Sequence, residues 1–161
     1  MLKPVLISLA AVLTLAPAAL AAPVAPETAA EMMRNAGDTD VNVTWVSDGA
    51  ARIDAARDGV YYSVRMFACD EAKLCSGAMV FATFAEPGSL DLSVYERNNA
   101  FNDSYPYGRG FLLTSKEEDG TYTIGLDYSI DLSAEAEFGS DDIELFFGIL
   151  DAYVRHMEST E

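Results

Sequence analysis

A single histidine and two cysteines are all that this chain of 161 residues offers of the side chains most used in nucleophilic, metal and redox chemistry. Hydrolysis by a nucleophile needs serine or cysteine beside a base, and the lone His156 lies close to the C-terminal tail, where a helix end frays and holds a base poorly. Two cysteines and one distant histidine do not make the four ligands of a zinc site. The cysteines are spaced Cys69-Asp-Glu-Ala-Lys-Leu-Cys75 rather than Cys-x-x-Cys, and Asp70 and Glu71 disfavour the thiolate that redox catalysis needs.

Positive charge is scarce as well. Ten Lys and Arg face 26 Asp and Glu, a formal charge of −16, and such a field repels nucleic acid and anionic headgroups, so neither is expected as a partner. Solubility or a salty habitat accounts for the charge more readily than a cationic partner does. Carboxylates are so common that pairs of them say little. Asp127 and Asp131, four apart in a strand-like run, read as a face turned to water rather than as a glycosidase pair. Asp38-Thr39-Asp40-Val41-Asn42 opens like a calcium loop, but Val43 stands where glycine must turn the chain and Gly49 where a bidentate glutamate belongs. Gly108-Arg109-Gly110 lacks the third glycine and the strand-to-helix setting of a phosphate loop. No catalytic residue, no metal ligand and no cofactor is expected.

Long apolar runs are confined to the beginning. Lys3 precedes an acid-free stretch from Pro4 to Ala22 in which Val5 to Leu15 is apolar, Pro17 breaks the run, and Ala19-Leu20-Ala21 has the small-x-small pattern of a signal-peptidase site. The stretch is short for an uncleaved membrane anchor. The expected organisation is a signal peptide over 1–21, a tether over 22–26 and one domain over 27–158. Loss of Lys3 with the leader takes the formal charge of −16 to −17. No later segment is apolar and long enough to span a bilayer, so a periplasmic or secreted protein without membrane attachment is expected. In that oxidising setting Cys69 and Cys75 read as a disulfide, whose short loop contributes about 2 kcal/mol.

What is plentiful is apolar surface. Half the residues are hydrophobic, enough for one domain to bury about two thirds of its unfolded surface. Pro26 and Glu27 start a short helix with Ala29, Met32, Met33 and Ala36 on one face and Gly37 as its stop. Val41, Val43 and Trp45 alternate along a strand, Ser47-Asp48-Gly49 turns it, and Ala51 to Ala55 returns. Asp58-Gly59 marks a second turn, before a strand with Val60, Tyr62, Val64 and Met66 on one face. Ala78 to Ala85 is apolar on both faces, the pattern of a strand covered twice, or by helices on one side and a partner on the other. Pro87-Gly88-Ser89 ends it, and a helix of uneven amphipathicity begins near Ser89 with Leu90, Val94, Tyr95 and Phe101. Arg109 to Ser115, a polar loop over Lys116 to Gly120, and a second strand form a last hairpin. In that strand Tyr122, Ile124, Leu126, Tyr128, Ile130 and Leu132 face one way, while Thr121, Thr123, Asp127, Ser129 and Asp131 face water. Ser140 is expected to cap a final helix with Asp141 and Asp142 in its first turn. Its apolar stripe of Ile143, Phe146, Leu150, Tyr153, Val154 and Met157 is widened by Leu145, Phe147 and Ile149, which asks for deep burial or a partner. The predicted fold class is α+β, an antiparallel sheet flanked by helices in the order α-β-β-β-β-α-β-β-α.

One cluster carries recognition chemistry. Asn99, Phe101 and Asn102, then Tyr105, Tyr107 and Arg109, gather amides, aromatics and a cation at a helix-to-strand junction. Helix-end capping by the asparagines and an ion pair for Arg109 is the competing explanation.

With these residues in view the chain resembles the YbjN domain family, bacterial proteins assigned to sensory transduction regulation without a known reaction. The resemblance rests on Gly37 closing the first helix, the Asp48-Gly49 turn, the strand Tyr62 to Phe67 leading to the Cys69 and Cys75 hairpin, and the strand Met79 to Phe84. The family's Asn-x-Trp-Asn and aromatic-Gly-Arg pattern is matched by Asn99-Ala100-Phe101-Asn102 and Tyr107-Gly108-Arg109, and its closing strand and helix by Leu126 to Leu132 and Phe138 to Tyr153. Phe101 replaces the family's tryptophan, and Ala134-Glu135-Ala136-Glu137 stands where Gly-Gly is usual. The resemblance implies a fold similar to type III secretion chaperones and no reaction.

Three functions follow as expectations. The first is an exported, non-catalytic module of the bacterial envelope that binds a polypeptide segment or a second copy of itself. The second is a small hydrolase or ligand-binding protein using the Asn102 and Arg109 junction. The third is an acidic protein that responds to cations.

Overall fold

The structure, a computed structural model, describes residues 23–114, 120–132 and 138–159. The expected signal peptide, Ala22 of the tether, Lys116 to Asp119 of the polar loop and the Ala134 to Glu137 departure lie outside the described residues.

Helix α1 (Pro26–Asn35) opens on Pro26, where the missing N–H is one the helix would not use, and Gly37 leaves it at φ 98°. Its buried face is Ala29, Ala30 and Met33, so Ala30 holds the place expected of Ala36, which is exposed, and Met32 is only half-buried. Strands β1 (Thr39–Ser47), β2 (Ala50–Arg57), β3 (Val60–Cys69) and β4 (Cys75–Pro87) then follow as successive hairpins. Asp58 and Gly59, both at positive φ, make the β2–β3 turn. Cys69 and Cys75 face each other where β3 meets β4 and are joined by a disulfide. Within that loop the Asp70 side chain accepts from the Leu74 N–H at 2.9 Å, and Lys73 donates to the Asp70 carbonyl at 2.9 Å.

Helix α2 (Leu92–Ser104) starts later than the Ser89 expected. Asp91 is its cap, accepting from the Val94 N–H at 3.1 Å and from Ser93 at 2.7 Å, a satisfaction Ser89 is too far upstream to provide. Strands β5 (Arg109–Thr114) and β6 (Thr121–Asp131) complete a six-stranded antiparallel sheet in the order β1-β2-β3-β4-β6-β5. Helix α3 (Ser140–Glu158) is capped at Gly139 and not at Ser140, because Asp142 reaches back to accept the Gly139 N–H at 2.9 Å. The observed fold is thus α+β with the expected element order.

The core lies on one face of the sheet. Ile53, Val64, Met66, Val80, Ala82, Leu126 and Ile130 pack there against Ala30 and Met33 of α1, Val94 and Phe101 of α2, and Ile143, Phe146, Leu150 and Tyr153 of α3. The wide stripe of α3 is largely consumed by this packing. Phe147 meets the edge of Tyr62 at 5.2 Å and lies under the Arg57 guanidinium at 5.5 Å, Ile149 is buried, and Leu145 alone of the three is exposed.

Candidate functional site

The helix-to-strand junction is built as a clamp. Asn98 and Asn102, one turn apart on α2, both donate to the Gly110 carbonyl of β5, at 3.2 and 3.0 Å. Asn102 also accepts the Gly110 N–H at 2.8 Å, and Asn98 accepts the Tyr153 hydroxyl at 2.9 Å. A Cβ on Gly110 would stand 2.5 Å from the Tyr153 ring and 2.6 Å from the Asn98 carbonyl oxygen, so only glycine allows this approach. Phe101 is fully buried, stacked on Tyr105 with ring centroids 4.3 Å apart and edge-on to Tyr153 at 4.9 Å. Burial holds the Tyr153 phenol above its ordinary acidity range.

Of the sequence-predicted surface, the structure therefore unites Phe101 and Asn102 in packing, leaves Asn99 and Tyr107 exposed, and sends Arg109 to the other side of the sheet. Asn98, which the sequence reading passed over, does as much as Asn102. Its signal was present in the four-residue spacing of the two amides. Asn102 and Arg109 do not converge on one pocket.

The far side of the sheet is the second feature. Along one cross-strand row stand Asp54, Ser63, Phe81, Asp127 and Arg109, and along the next Arg52, Arg65, Met79 and Ser129. Ser63 and Arg52 donate to Asp54 at 2.7 and 3.0 Å, and Arg109 donates to Asp127 at 2.6 Å. Asp127 was expected to face water. It lies on the predicted face of β6 but is only 7% exposed, because its neighbours and Arg109 close over it. Two phenylalanines lie flat over glycines of the adjoining strands, Phe67 over Gly77 and Phe111 over Gly125. A Cβ at either glycine would come within 2.3 Å of the ring. Such cross-strand covering fills the gap a glycine leaves in a sheet. It also lays the rings down as a floor.

Met79 and Phe81 are the outer side chains of β4, the strand read as apolar on both faces. Helices cover its inner side, and no described element covers its outer side. The result is a shallow groove of about 480 Å³ walled by Met79, Phe81, Phe111 and Leu113, with Arg65, Arg109 and Asp127 along it. Leu113 is 52% exposed and Phe67 40%.

A third feature is internal. Arg57 donates to both oxygens of Asp38, at 2.7 and 2.9 Å, with the Asp38 side chain fully buried. That pairing raises the Arg57 pKa and explains what the opening residue of the calcium-like stretch does instead. The Tyr62 hydroxyl is buried near Asp38 without a hydrogen bond of acceptable geometry; burial first, and then the Asp38 charge, push its pKa up. His156 shares a 2.9 Å contact between its Nε2 and the Arg97 carbonyl. Among the described residues no group of three or more His, Cys, Asp or Glu is arranged to hold a metal, and no helix is long and apolar enough to cross a membrane.

These features define an α+β domain with a helix-covered core on one side of its sheet and an apolar, arginine-bearing face on the other. No family profile matches the sequence, and no curated protein matches it. Among solved structures the chain is similar to YbjN, an E. coli protein described as a candidate transcription regulator, with 13% identity over 81% of this chain and 86% of that one and a TM-score of 0.49. That likeness bears on neither activity nor partners.

Proposed function

We propose that this chain is an exported, non-catalytic module of the bacterial envelope whose open sheet face binds a polypeptide segment. The observation that carries the reading is Phe81, central in a row across five strands, grouped with Met79 and Phe111 in one groove and covered by no described element. Apolar side chains gathered on one face are the usual mark of a surface that loses water to a partner. Export is supported by the leader pattern of residues 1–21 and is compatible with the Cys69–Cys75 disulfide. The Asn102 and Arg109 junction offers little to a hydrolase, since both side chains are engaged, on opposite faces of β5.

Photo-cross-linking tests this reading. A photoreactive residue placed at Phe81 or Phe111 is expected to give discrete polypeptide adducts in the intact envelope, and one at the exposed Tyr95 of α2 is not. Absence of adducts at both sheet positions, with the protein folded and exported, would reject it.

A further inference from the structure

The open face is also where this acidic chain places unspent positive charge. Arg52, Arg65 and Arg109 all stand on it. Arg52 and Arg109 are held by Asp54 and Asp127, whereas Arg65 has neither an ion pair nor a hydrogen bond among the described residues. Its partner in register across β2 and β3 is Arg52, and like charges placed opposite each other repel. Asp54, the diagonal neighbour, is already shared between Arg52 and Ser63. On its other side Arg65 faces Met79, and Phe81 and Phe111 continue the groove.

A guanidinium beside an apolar floor favours one ligand chemistry. A carboxylate arriving with apolar flanks excludes water from the pair it forms and can take the bidentate geometry that arginine offers. The remaining surface, at a formal chain charge of −16, repels a segment rich in acids, so a single carboxylate among apolar side chains fits and an acidic tract does not. We infer that the occupant of this face is a polypeptide segment of that composition, its carboxylate on Arg65 and its apolar side chains over Met79, Phe81 and Phe111. The inference rests on the reading of the open face as a docking surface.

Two capped peptides test it, acetyl-Gly-Leu-Phe-Asp-Leu-Val-Gly-amide and the same sequence with Asn for Asp, titrated into the full oxidised chain by amide-resolved NMR. The Asp peptide is expected to bind roughly fivefold more tightly than the Asn peptide, the range of a single ion pair at a partly dry surface. Arg65→Gln should abolish that ratio while leaving the Asn peptide unchanged, and Phe81→Ser should weaken both. Arg65→Lys, which keeps the charge and loses the fork, should fall between, and stands in if Arg65→Gln fails to fold by its thermal melt. Equal binding of the two peptides on the Met79, Phe81 and Phe111 surface would overturn the carboxylate assignment and keep the docking face. No shifts on that surface from either peptide would overturn both. A dimer seen by sedimentation without peptide, and dissociated by Phe81→Ser, would make a second copy the occupant and also overturn the inference.

Discussion

Asn102 closes on both polar groups of Gly110, donating to its carbonyl at 3.0 Å and accepting its N–H at 2.8 Å. On β5, an edge strand, these are groups that another strand could pair with, so a side-chain amide occupies the place of a neighbouring backbone. Asn102 of the candidate recognition pattern, with Asn98 and Gly110 beside it, thereby acquires a structural use, fixing α2 against the sheet edge.

Gly110→Ala is expected to destabilise the protein by about 2 kcal/mol or more, because the added methyl meets a buried ring and a committed amide rather than a flexible end. Asn102→Ala removes the acceptor of the Gly110 N–H while Asn98 still serves the carbonyl, and should cost about 1–2 kcal/mol. Urea unfolding of both variants measures this. Equal stability of Gly110→Ala and the parent would contradict the clamp.

The two buried tyrosines separate by partner. Tyr153→Phe strands the Asn98 carbonyl oxygen and should lose about 1–2 kcal/mol, whereas Tyr62→Phe removes a buried hydroxyl that makes no hydrogen bond and should be neutral or slightly stabilising.

Alkali provides an independent check on the same pair. Both phenols are raised above the ordinary value of 10.0, so beyond that pH the unfolded chain sheds protons that the folded chain keeps. Their contribution is fully present below pH 10 and falls as pH rises past it, by about 1.4 kcal/mol per pH unit for each tyrosine. Either Phe variant should flatten the alkaline limb of a stability profile by about half of the two-tyrosine slope.

Reduction of Cys69–Cys75 should lower stability by about 2 kcal/mol without unfolding the protein, because the loop is short and the hairpin it closes is also held by the β3–β4 ladder. Paired chemical melts with and without reductant test this. Collapse of the fold on reduction would show that the bond does more than restrain the loop.

Local pattern made much of the fold legible. Alternation placed Tyr122 to Ile130 along β6, Asp48-Gly49 and Asp58-Gly59 marked two hairpin turns, and the two-sided apolar run of β4 pointed to an outer face in need of cover. What escaped depends on register and distance. Asp38 and Arg57 are 19 residues apart, and only the β1–β2 hairpin brings them together. Phe67 and Phe111 find their glycines through strand pairing, which no local periodicity encodes. Asp127 alternates as a solvent-facing residue should, yet β5 delivers Arg109 onto it from the neighbouring strand. At the junction the residue types drew attention correctly, but whether an asparagine greets a ligand or a backbone carbonyl is decided by what the sheet edge places opposite it.

Methionine oxidation reads the open face most directly. Met79 lies in the groove and Met32 on the rim of α1, both partly buried. Hydroxyl-radical labelling of the protein in its envelope extract, compared with the purified chain, is expected to slow oxidation of Met79 relative to Met32. An unchanged ratio of the two would contradict a bound segment over the sheet.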